Sequence, residues 1–250
     1  MNPTICIDGI SCIGKTSTLK HIYSYHKNVV FVDYYEMIKK NPKYKEKATN
    51  IFFNSLFEID VMMKAMNGNV YDTLYMDRSP ISSLFYNQIF GILREVQYFD
   101  IKNLINKCSK CIKILFGKSY YFTHEQNVVF NACRKFNIII FNTSNIFKTA
   151  DRLFKRGTDL DKDIATMHNF KFDYKFCLWY TIVQYQYFKL LSVEISKNVS
   201  YNEYIFYYEV ENSKELKRRI METEDDIKDF QMFIYTLDFN NGKPKKVYKK

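Results

Sequence analysis

The chain has 250 residues and a mass of 30.1 kDa, and 47% of its residues are hydrophobic, which allows a sizeable core and excludes a disordered polar tract. Lys and Arg number 37 and Asp and Glu number 27, so the formal net charge of +10 favours polyanionic partners such as nucleotides, nucleic acid or acidic surfaces. Only 7 Gly and 4 Pro occur, which excludes a collagen-like chain, and no apolar run approaches the ~20 residues of a membrane helix.

The cysteines are scattered along the chain, at positions 6, 12, 108, 111, 133 and 177. In a chain of this length, such spacing fits reduced thiols better than a disulfide framework. No positively charged segment followed by an apolar stretch opens the sequence, so we expect no secretory signal. We therefore expect a cytoplasmic protein that does not attach to membranes.

The first predicted element is a strand over Thr4–Asp8, a short run rich in β-branched residues. The pattern G-x-x-x-x-G-K-T follows from Gly9 to Thr16, and the stretch Ser17–His26 predicts a helix. A strand, this pattern and a helix are the order found in loops whose backbone N–H groups bind phosphate. In such loops the lysine reaches the β- and γ-phosphates, and the Thr hydroxyl holds Mg²⁺. The predicted nucleotide-binding residues are Gly9, Ile10, Ser11, Cys12, Ile13, Gly14, Lys15, Thr16 and Ser17.

Two further predicted strands are followed by acidic residues. Asn28–Val32 ends at Asp33, which either acts on a ligand at the edge of the sheet or caps the next helix. Leu74–Met76 runs into Asp77, which is placed where a carboxylate that organises Mg²⁺ is expected. Arg78 is suited to contact a phosphate or substrate oxygen. The alternative for this pair is a surface ion pair at a strand-to-helix turn.

A long stretch with helical spacing lies between these strands. Ala48–Met66 predicts a core-facing helix, and its Met and Phe stripe is interpreted as packing. Asn54 within it is either solvated or directed into a cleft. Beyond Pro80, which suits a first helical turn, Ile81–Ile92 and Val96–Ile114 predict two more helices.

Residues 94–136 are the least informative part of the chain. Cys108 and Cys111 have C-x₂-C spacing, which His124 and Cys133 could complete into a metal site. The cysteine pair is not repeated at a defined distance, so reduced thiols on one helix face are the favoured interpretation.

The C-terminal part of the chain carries a basic helix after a buried strand. Asn137–Phe141 predicts the strand, and Ile146–Gly157 predicts the amphipathic helix. Arg152 and Arg156 lie four residues apart on one face of this helix. They either complement the helix dipole or close over phosphates during transfer. The features that follow are an acidic loop or helix start at Asp159, Asp161 and Asp163, the helix Phe176–Ile195, the strand Glu203–Val210, the helix Asn212–Phe230 and a basic tail over 241–250.

Taken together, these motifs resemble the deoxyribonucleoside kinase family, which includes the herpesvirus-type thymidine kinases and belongs with thymidylate kinases among the phosphate-loop kinases. The resemblance extends over residues 4–210 and depends on four landmarks in order. They are I-D-G-x-x-x-x-G-K-T from Ile7, V-D-Y-Y-E from Val32, D-R-S-P-I from Asp77, and N-T-S followed by D-R-L-F-K-R-G from Asn142.

The resemblance implies a three-layer α/β fold with a five-stranded parallel sheet, helices on both faces and a helical lid, in one domain over residues 1–240. It implies ATP-dependent phosphorylation of a deoxynucleoside, with thymidine expected, at the 5′-hydroxyl, with ATP and Mg²⁺ bound and with a homodimeric assembly. The implied roles are Asp33 as the base on that hydroxyl, Arg78, Arg152 and Arg156 as further catalytic residues, Glu36, Asn54 and Asp161 as substrate contacts, and Thr16 and Asp77 as metal ligands.

Some positions depart from the family pattern, and residues 94–136 form a candidate insertion relative to it. Thr158 stands where members commonly carry a third Arg, and Leu160 and Asp161 replace an acid pair. The base position is Asp33 rather than Glu, and Asn54 replaces a Gln that reads the base. Two alternatives stay open: a thymidylate kinase, whose acceptor carries a 5′-phosphate, and a catalytically reduced relative with a structural or nucleic-acid-associated role.

Overall fold

The computed structural model describes residues 4–26, 29–31, 73–79, 81–116, 136–197 and 205–239. The strands are β1 (Thr4–Gly9), β2 (Val29–Phe31), β3 (Leu74–Asp77), β4 (Asn137–Thr143) and β5 (Ile205–Val210). The helices are α1 (Lys15–His26), α2 (Ser82–Glu95), α3 (Ile101–Phe116), α4 (Ile146–Arg156), α5 (Asp159–Met167), α6 (Tyr174–Ser196) and α7 (Ser213–Phe239).

The described strands form one parallel sheet in the order β2-β3-β1-β4-β5. Strand β2 contributes three residues at one edge, and the other strands have four to seven. β1 lies between β3 and β4, and all of its residues are buried. A strand covered on both faces needs apolar side chains on both, which explains the continuous apolar run that predicted it. The α/β class and the parallel sheet agree with the sequence prediction.

Helices cover both faces of the sheet. Asp8 of β1 accepts a hydrogen bond from Ser82 at the start of α2, whereas Tyr75 of β3 donates one to Glu224 of α7. Tyr75 is in register with Ile5, and successive side chains of a strand point to opposite faces, so Asp8 and Tyr75 point away from each other. Helix α1 packs with α7 on one face, and α2 and α3 pack with α6 on the other.

The described half of the candidate insertion belongs to the core. Buried residues of α3, namely Leu104, Cys108, Ile112 and Leu115, lie in the same apolar cluster as the strands and α6. That residues 94–136 are an insertion relative to the family, and that residues 1–240 make one domain, stay predictions.

The predicted helix over Val96–Ile114 begins too early. Helix α2 continues to Glu95, and Val96 is extended at its end, with φ −103° and ψ 128°. Helix α3 begins only at Ile101, where Asp100 Oδ1 accepts a hydrogen bond of 3.1 Å from the Asn103 backbone N–H. Apolar spacing alone predicts too short a connection between the two helices. The capping residue Asp100 instead sets the start of α3 at Ile101.

The structure also decides whether the acidic stretch after the basic helix is a loop or the start of another helix. The segment that was either a loop or a helix start is helix α5, and its first turn carries Asp159 and Asp161. The predicted helix Ala48–Met66 and the tail 241–250 lie outside the described residues.

Across the described part of the chain, no helix is long and apolar enough to cross a membrane. Among the described residues, Cys6, Cys12, Cys108, Cys111 and Cys177 are not joined in disulfides.

Candidate nucleotide-binding site

The loop between β1 and α1 turns at two glycines with positive φ, 107° at Gly9 and 96° at Gly14. The Ile10 N–H donates a hydrogen bond of 2.9 Å to Phe141 O of β4, which holds the loop against the neighbouring strand. A Cβ at Gly9 would lie 1.9 Å from that same oxygen, so no other residue fits there without movement. The loop lies at the carboxyl end of the central strand, where ligands of open parallel sheets bind.

Lys15 is folded into this loop. Its ammonium Nζ donates hydrogen bonds of 2.9 Å to Gly9 O and 2.6 Å to Ile10 O, and the side chain is buried. Burial, with a smaller contribution from the nearby Arg78 charge, lowers the pKa of Lys15 to about 8. The loop thus holds a buried cation at its centre, and an anionic ligand would stabilise its charge.

Thr16 and Asp77 meet beside the loop. Thr16 Oγ1 donates a hydrogen bond of 2.6 Å to Asp77 Oδ2, and Asp77 is in register with Ile7 of the central strand. Cis oxygen ligands of Mg²⁺, each about 2.1 Å from the ion, lie about 3 Å apart, so the two oxygens fit a shared ion. A hydroxyl and a carboxylate are also the oxygen donors that Mg²⁺ prefers. Within the described ranges, no group of three or more His, Cys, Asp or Glu residues is placed to hold a metal.

The buried carboxylate of Asp8 ties the loop to the turn after β3. It accepts hydrogen bonds from the Gly9 N–H at 2.8 Å, from Ser82 Oγ at 3.1 Å and from Ser79 Oγ. Asp8 is fully buried, so these donors replace the water that an aspartate needs. Sequence reasoning placed Asp8 at a strand end and gave it no role, although an acid inside an apolar strand was the available signal.

Arg78 has a backbone conformation that side chains seldom adopt, with φ 101°. Its N–H donates a hydrogen bond of 3.1 Å to Ile7 O, which holds the turn against the central strand. The guanidinium donates to Ser82 Oγ at 3.3 Å and lies over the Tyr86 ring, 5.3 Å from its centroid. Backbone strain of this kind persists only where the surrounding structure holds the residue in place, and it is common at functional sites.

Helix α4 brings its arginines toward the loop. Burial raises the pKa of the Cys12 thiol in the loop, and the charges of Arg156, Lys15 and Arg152 act against that rise. The two arginines of the predicted lid are therefore close enough to act electrostatically on the loop.

Asp161 binds a lid arginine. Arg156 Nε donates to Asp161 Oδ2 at 2.9 Å, and its Nη2 donates to Oδ1, which makes a bidentate ion pair. The Thr158 N–H and hydroxyl also donate to Oδ2, at 3.0 and 2.8 Å. The Asp161 N–H donates in return to Thr158 Oγ1 at 3.3 Å, which completes a capping box at the start of α5. Asp161 is 5% exposed, whereas Arg156 is 45% exposed. The carboxylate is thus engaged by protein donors, and its predicted substrate contact stays a prediction.

Neither the family models nor the curated proteins include a match to this chain. Among solved structures, the chain is similar to a deoxyadenosine kinase from M. mycoides, solved with bound dATP. The two are 13% identical, with a TM-score of 0.43 over 89% of this chain and 99% of that chain. At this identity and TM-score, function has to be argued from the chain's own residues.

An open surface depression of about 330 Å³ lies at the start of α7. It adjoins the loop, because Ser213 Cβ lies 3.3 Å from where a Cβ on Gly14 would be. Asn212 caps the helix by accepting hydrogen bonds of 3.0 Å from two backbone N–H groups. Sequence reasoning did not select this depression, whose lining residues are Asn212, Lys214, Glu215 and Arg218.

The remaining predicted residues fall into two groups. Asp33, Glu36 and Asn54 lie outside the described residues, as do His124 and Cys133 of the alternative metal site. Cys108 and Cys111 are on α3, and burial raises the pKa of Cys108 to about 12. This agrees with the interpretation of the pair as helix thiols.

Proposed function

We propose that the chain is an ATP-dependent phosphotransferase that phosphorylates the 5′-hydroxyl of a deoxynucleoside. The observation that carries the proposal is the hydrogen bond between Thr16 and Asp77, next to a buried Lys15 in a loop at the carboxyl end of a parallel sheet. This set of residues supplies what phosphoryl transfer needs, namely loop N–H groups, a cation for the phosphates and two oxygens for a metal.

The phosphates of ATP bind the loop from Gly9 to Thr16, at the positive end of α1. Lys15 leaves the carbonyl oxygens that it contacts and donates to phosphate oxygens instead. Thr16 and Asp77 hold Mg²⁺, which neutralises charge on the phosphates when it is bound.

Arg156 and Arg152 offset the charge that develops on the transferred group. An arginine in that role is worth roughly 10³–10⁵-fold in rate. The Arg156 ion pair with Asp161 supports this assignment, because a guanidinium fixed on one edge loses little freedom when it also contacts phosphate. Closure of the lid excludes water from the site.

Arg78 contacts the acceptor oxygen, and Asp33 takes the proton from the 5′-hydroxyl as it attacks. General-base assistance of this kind is worth roughly 10²–10⁴-fold. The choice of a hydroxyl acceptor rests on the position of Asp33 after the second strand in the sequence. Thymidine is the first substrate to test.

The test is a panel of the deoxynucleosides and thymidine monophosphate, each incubated with γ-labelled ATP and Mg²⁺. We expect transfer to at least one nucleoside and loss of that transfer in Lys15→Ala. Transfer to thymidine monophosphate alone would replace the proposal with a thymidylate kinase. No ATP binding, together with nucleic-acid affinity that falls steeply with salt, would overturn it in favour of the catalytically reduced alternative.

A further inference from the structure

Tyr86 of α2 contacts the first half of the nucleotide-binding loop through its hydroxyl. The OH donates a hydrogen bond of 2.9 Å to Gly9 O and lies 3.3 Å from Ser11 Oγ. It also lies 3.3 Å from Gln184 Oε1, which accepts a hydrogen bond of 3.0 Å from the Ser11 N–H. The hydroxyl therefore sits in a network that fixes the loop backbone from the side of α2 and α6.

The ring of the same tyrosine supports Arg78. The Arg78 guanidinium carbon lies 5.3 Å from the ring centroid, within the range of a cation–π contact. Arg78 also donates to Ser82 Oγ, and Ser82 and Tyr86 are four residues apart on one face of α2. One side chain thus contacts the nucleotide loop with its hydroxyl and the acceptor-side arginine with its ring.

From these contacts, and on the basis of the proposed kinase activity, we infer that Tyr86 is a positioning residue with two separable roles. Its hydroxyl holds the nucleotide loop ready for ATP, and its ring holds Arg78 in place for the acceptor. Tyr86 touches neither the transferred phosphate nor the acceptor oxygen in this assignment, so it is not a catalytic residue.

The hydroxyl role follows from the position of Lys15. Gly9 O accepts hydrogen bonds from both Lys15 Nζ and Tyr86 OH, each of 2.9 Å. When Lys15 moves to the phosphates, Gly9 O keeps a donor only if Tyr86 remains. A buried carbonyl left without a donor is costly, so the tyrosine hydroxyl makes the release of Lys15 easier. Burial raises the pKa of the Tyr86 hydroxyl, which therefore stays protonated and able to donate.

Gln184 completes the arrangement from α6. It is fully buried, and its Nε2 donates to Tyr180 O at 3.4 Å within its own helix. That contact assigns the Oε1 atom to the side facing the loop, where it accepts from the Ser11 N–H. The Ser11 N–H is therefore already paired, so the hydroxyl of Tyr86 and the amide of Gln184 act together on the loop backbone.

Two variants separate the two roles. Tyr86→Phe removes the hydroxyl and keeps the ring, so the dissociation constant for ATP rises about fivefold to tenfold while the KM for the nucleoside stays within about twofold. Tyr86→Leu removes both groups, so the nucleoside KM rises as well, by about threefold, through loss of the cation–π contact. ATP affinity is measured by calorimetry, and the KM and kcat by steady-state transfer assays.

The matched control is Tyr185→Phe, which loses a hydroxyl that accepts a hydrogen bond of 3.2 Å from Lys189 at the surface of α6. It should match the wild type in both measurements. Equal ATP affinity in Tyr86→Phe and an active wild type would overturn this inference alone. An equal rise of both constants in Tyr86→Phe would also overturn it, because the two roles would not be separable. A wild type that binds no ATP would overturn the proposed function together with it.

Discussion

Thr16 Oγ1 donates a hydrogen bond of 2.6 Å to Asp77 Oδ2, although 61 residues separate the two in the chain. The contact joins the start of α1 to the end of β3, and it exists because β1 and β3 are neighbours in the parallel sheet. Parallel neighbours end at the same edge, so a residue after β1 and a residue at the end of β3 meet there. This relationship turns two separate sequence motifs into one candidate metal site.

Replacing Asp77 with Asn should raise the Mg²⁺ concentration needed for half-maximal transfer by about tenfold or more, because a neutral amide is a weaker ligand than a carboxylate. The measurement is a Mg²⁺ titration at saturating ATP and nucleoside. Glu95→Gln is the control, since it removes the same charge from an exposed ion pair with Lys107 at the end of α2. An unchanged Mg²⁺ requirement in Asp77→Asn would contradict the assignment of this carboxylate.

The buried ammonium of Lys15 predicts a pH dependence of ATP binding. Its pKa is lowered from 10.5 to about 8, chiefly by burial, so between those values the free folded protein has lost a proton that the unfolded chain still holds. Stability from this group therefore rises with pH across that window. ATP needs the charged form, so its affinity should fall above about pH 8, and binding there should take up a proton.

Calorimetry of ATP binding at pH 8.5 in buffers of different ionisation enthalpy measures that proton uptake directly. Lys15→Arg provides the comparison, because a guanidinium stays charged throughout this range and its binding should take up no proton from this position. If the wild type and Lys15→Arg showed the same proton balance, the group that titrates would not be Lys15.

Asp161 should affect turnover more than ATP affinity. In Asp161→Asn the bidentate partner of Arg156 loses its charge, so the lid guanidinium is less well ordered and kcat should fall about tenfold with little change in the dissociation constant for ATP. An Asn side chain can still take part in capping α5, so the fold is kept. The measurements are steady-state kinetics and calorimetric ATP binding.

Asp159→Asn is the matched control for that variant. Asp159 lies in the same helical turn, its side chain is 100% exposed, and its ion pair is with Lys162 rather than with Arg156. We expect kcat in Asp159→Asn to equal that of the wild type. A faster Asp161→Asn would mean that the ion pair restrains Arg156 instead of positioning it.

The sequence predicted those parts of the site that depend on short spacing. The glycine and lysine pattern from Gly9 to Thr16 is one short continuous segment, and Asp77 is the last residue of a strand. Local sequence patterns were therefore sufficient to select these residues. The parallel sheet was predicted differently, since the resemblance of these motifs to the deoxyribonucleoside kinase family implied it.

The parts that were missed depend on packing between distant segments. Tyr86 lies 77 residues from Gly9, and Gln184 lies 173 residues from Ser11, so no spacing rule connects them. The available signal for Tyr86 was its position one helical turn after Ser82, on the face that meets the loop. The role of Asp161 was also hidden, because its ion pair with Arg156 depends on how α4 and α5 join at Gly157.

Replacement by Ala should have opposite effects on stability at Gly9 of β1 and at Gly91 of α2. Gly9→Ala places a methyl group 1.9 Å from Phe141 O at a φ of 107°, so it should lower the free energy of unfolding by on the order of 3 kcal/mol. Gly91→Ala adds a methyl group with nothing within 4 Å inside a helix, so it should raise that free energy by about 0.5–1 kcal/mol. Urea unfolding followed by circular dichroism measures both, and a Gly9→Ala variant as stable as the wild type would contradict the close packing of the loop against β4.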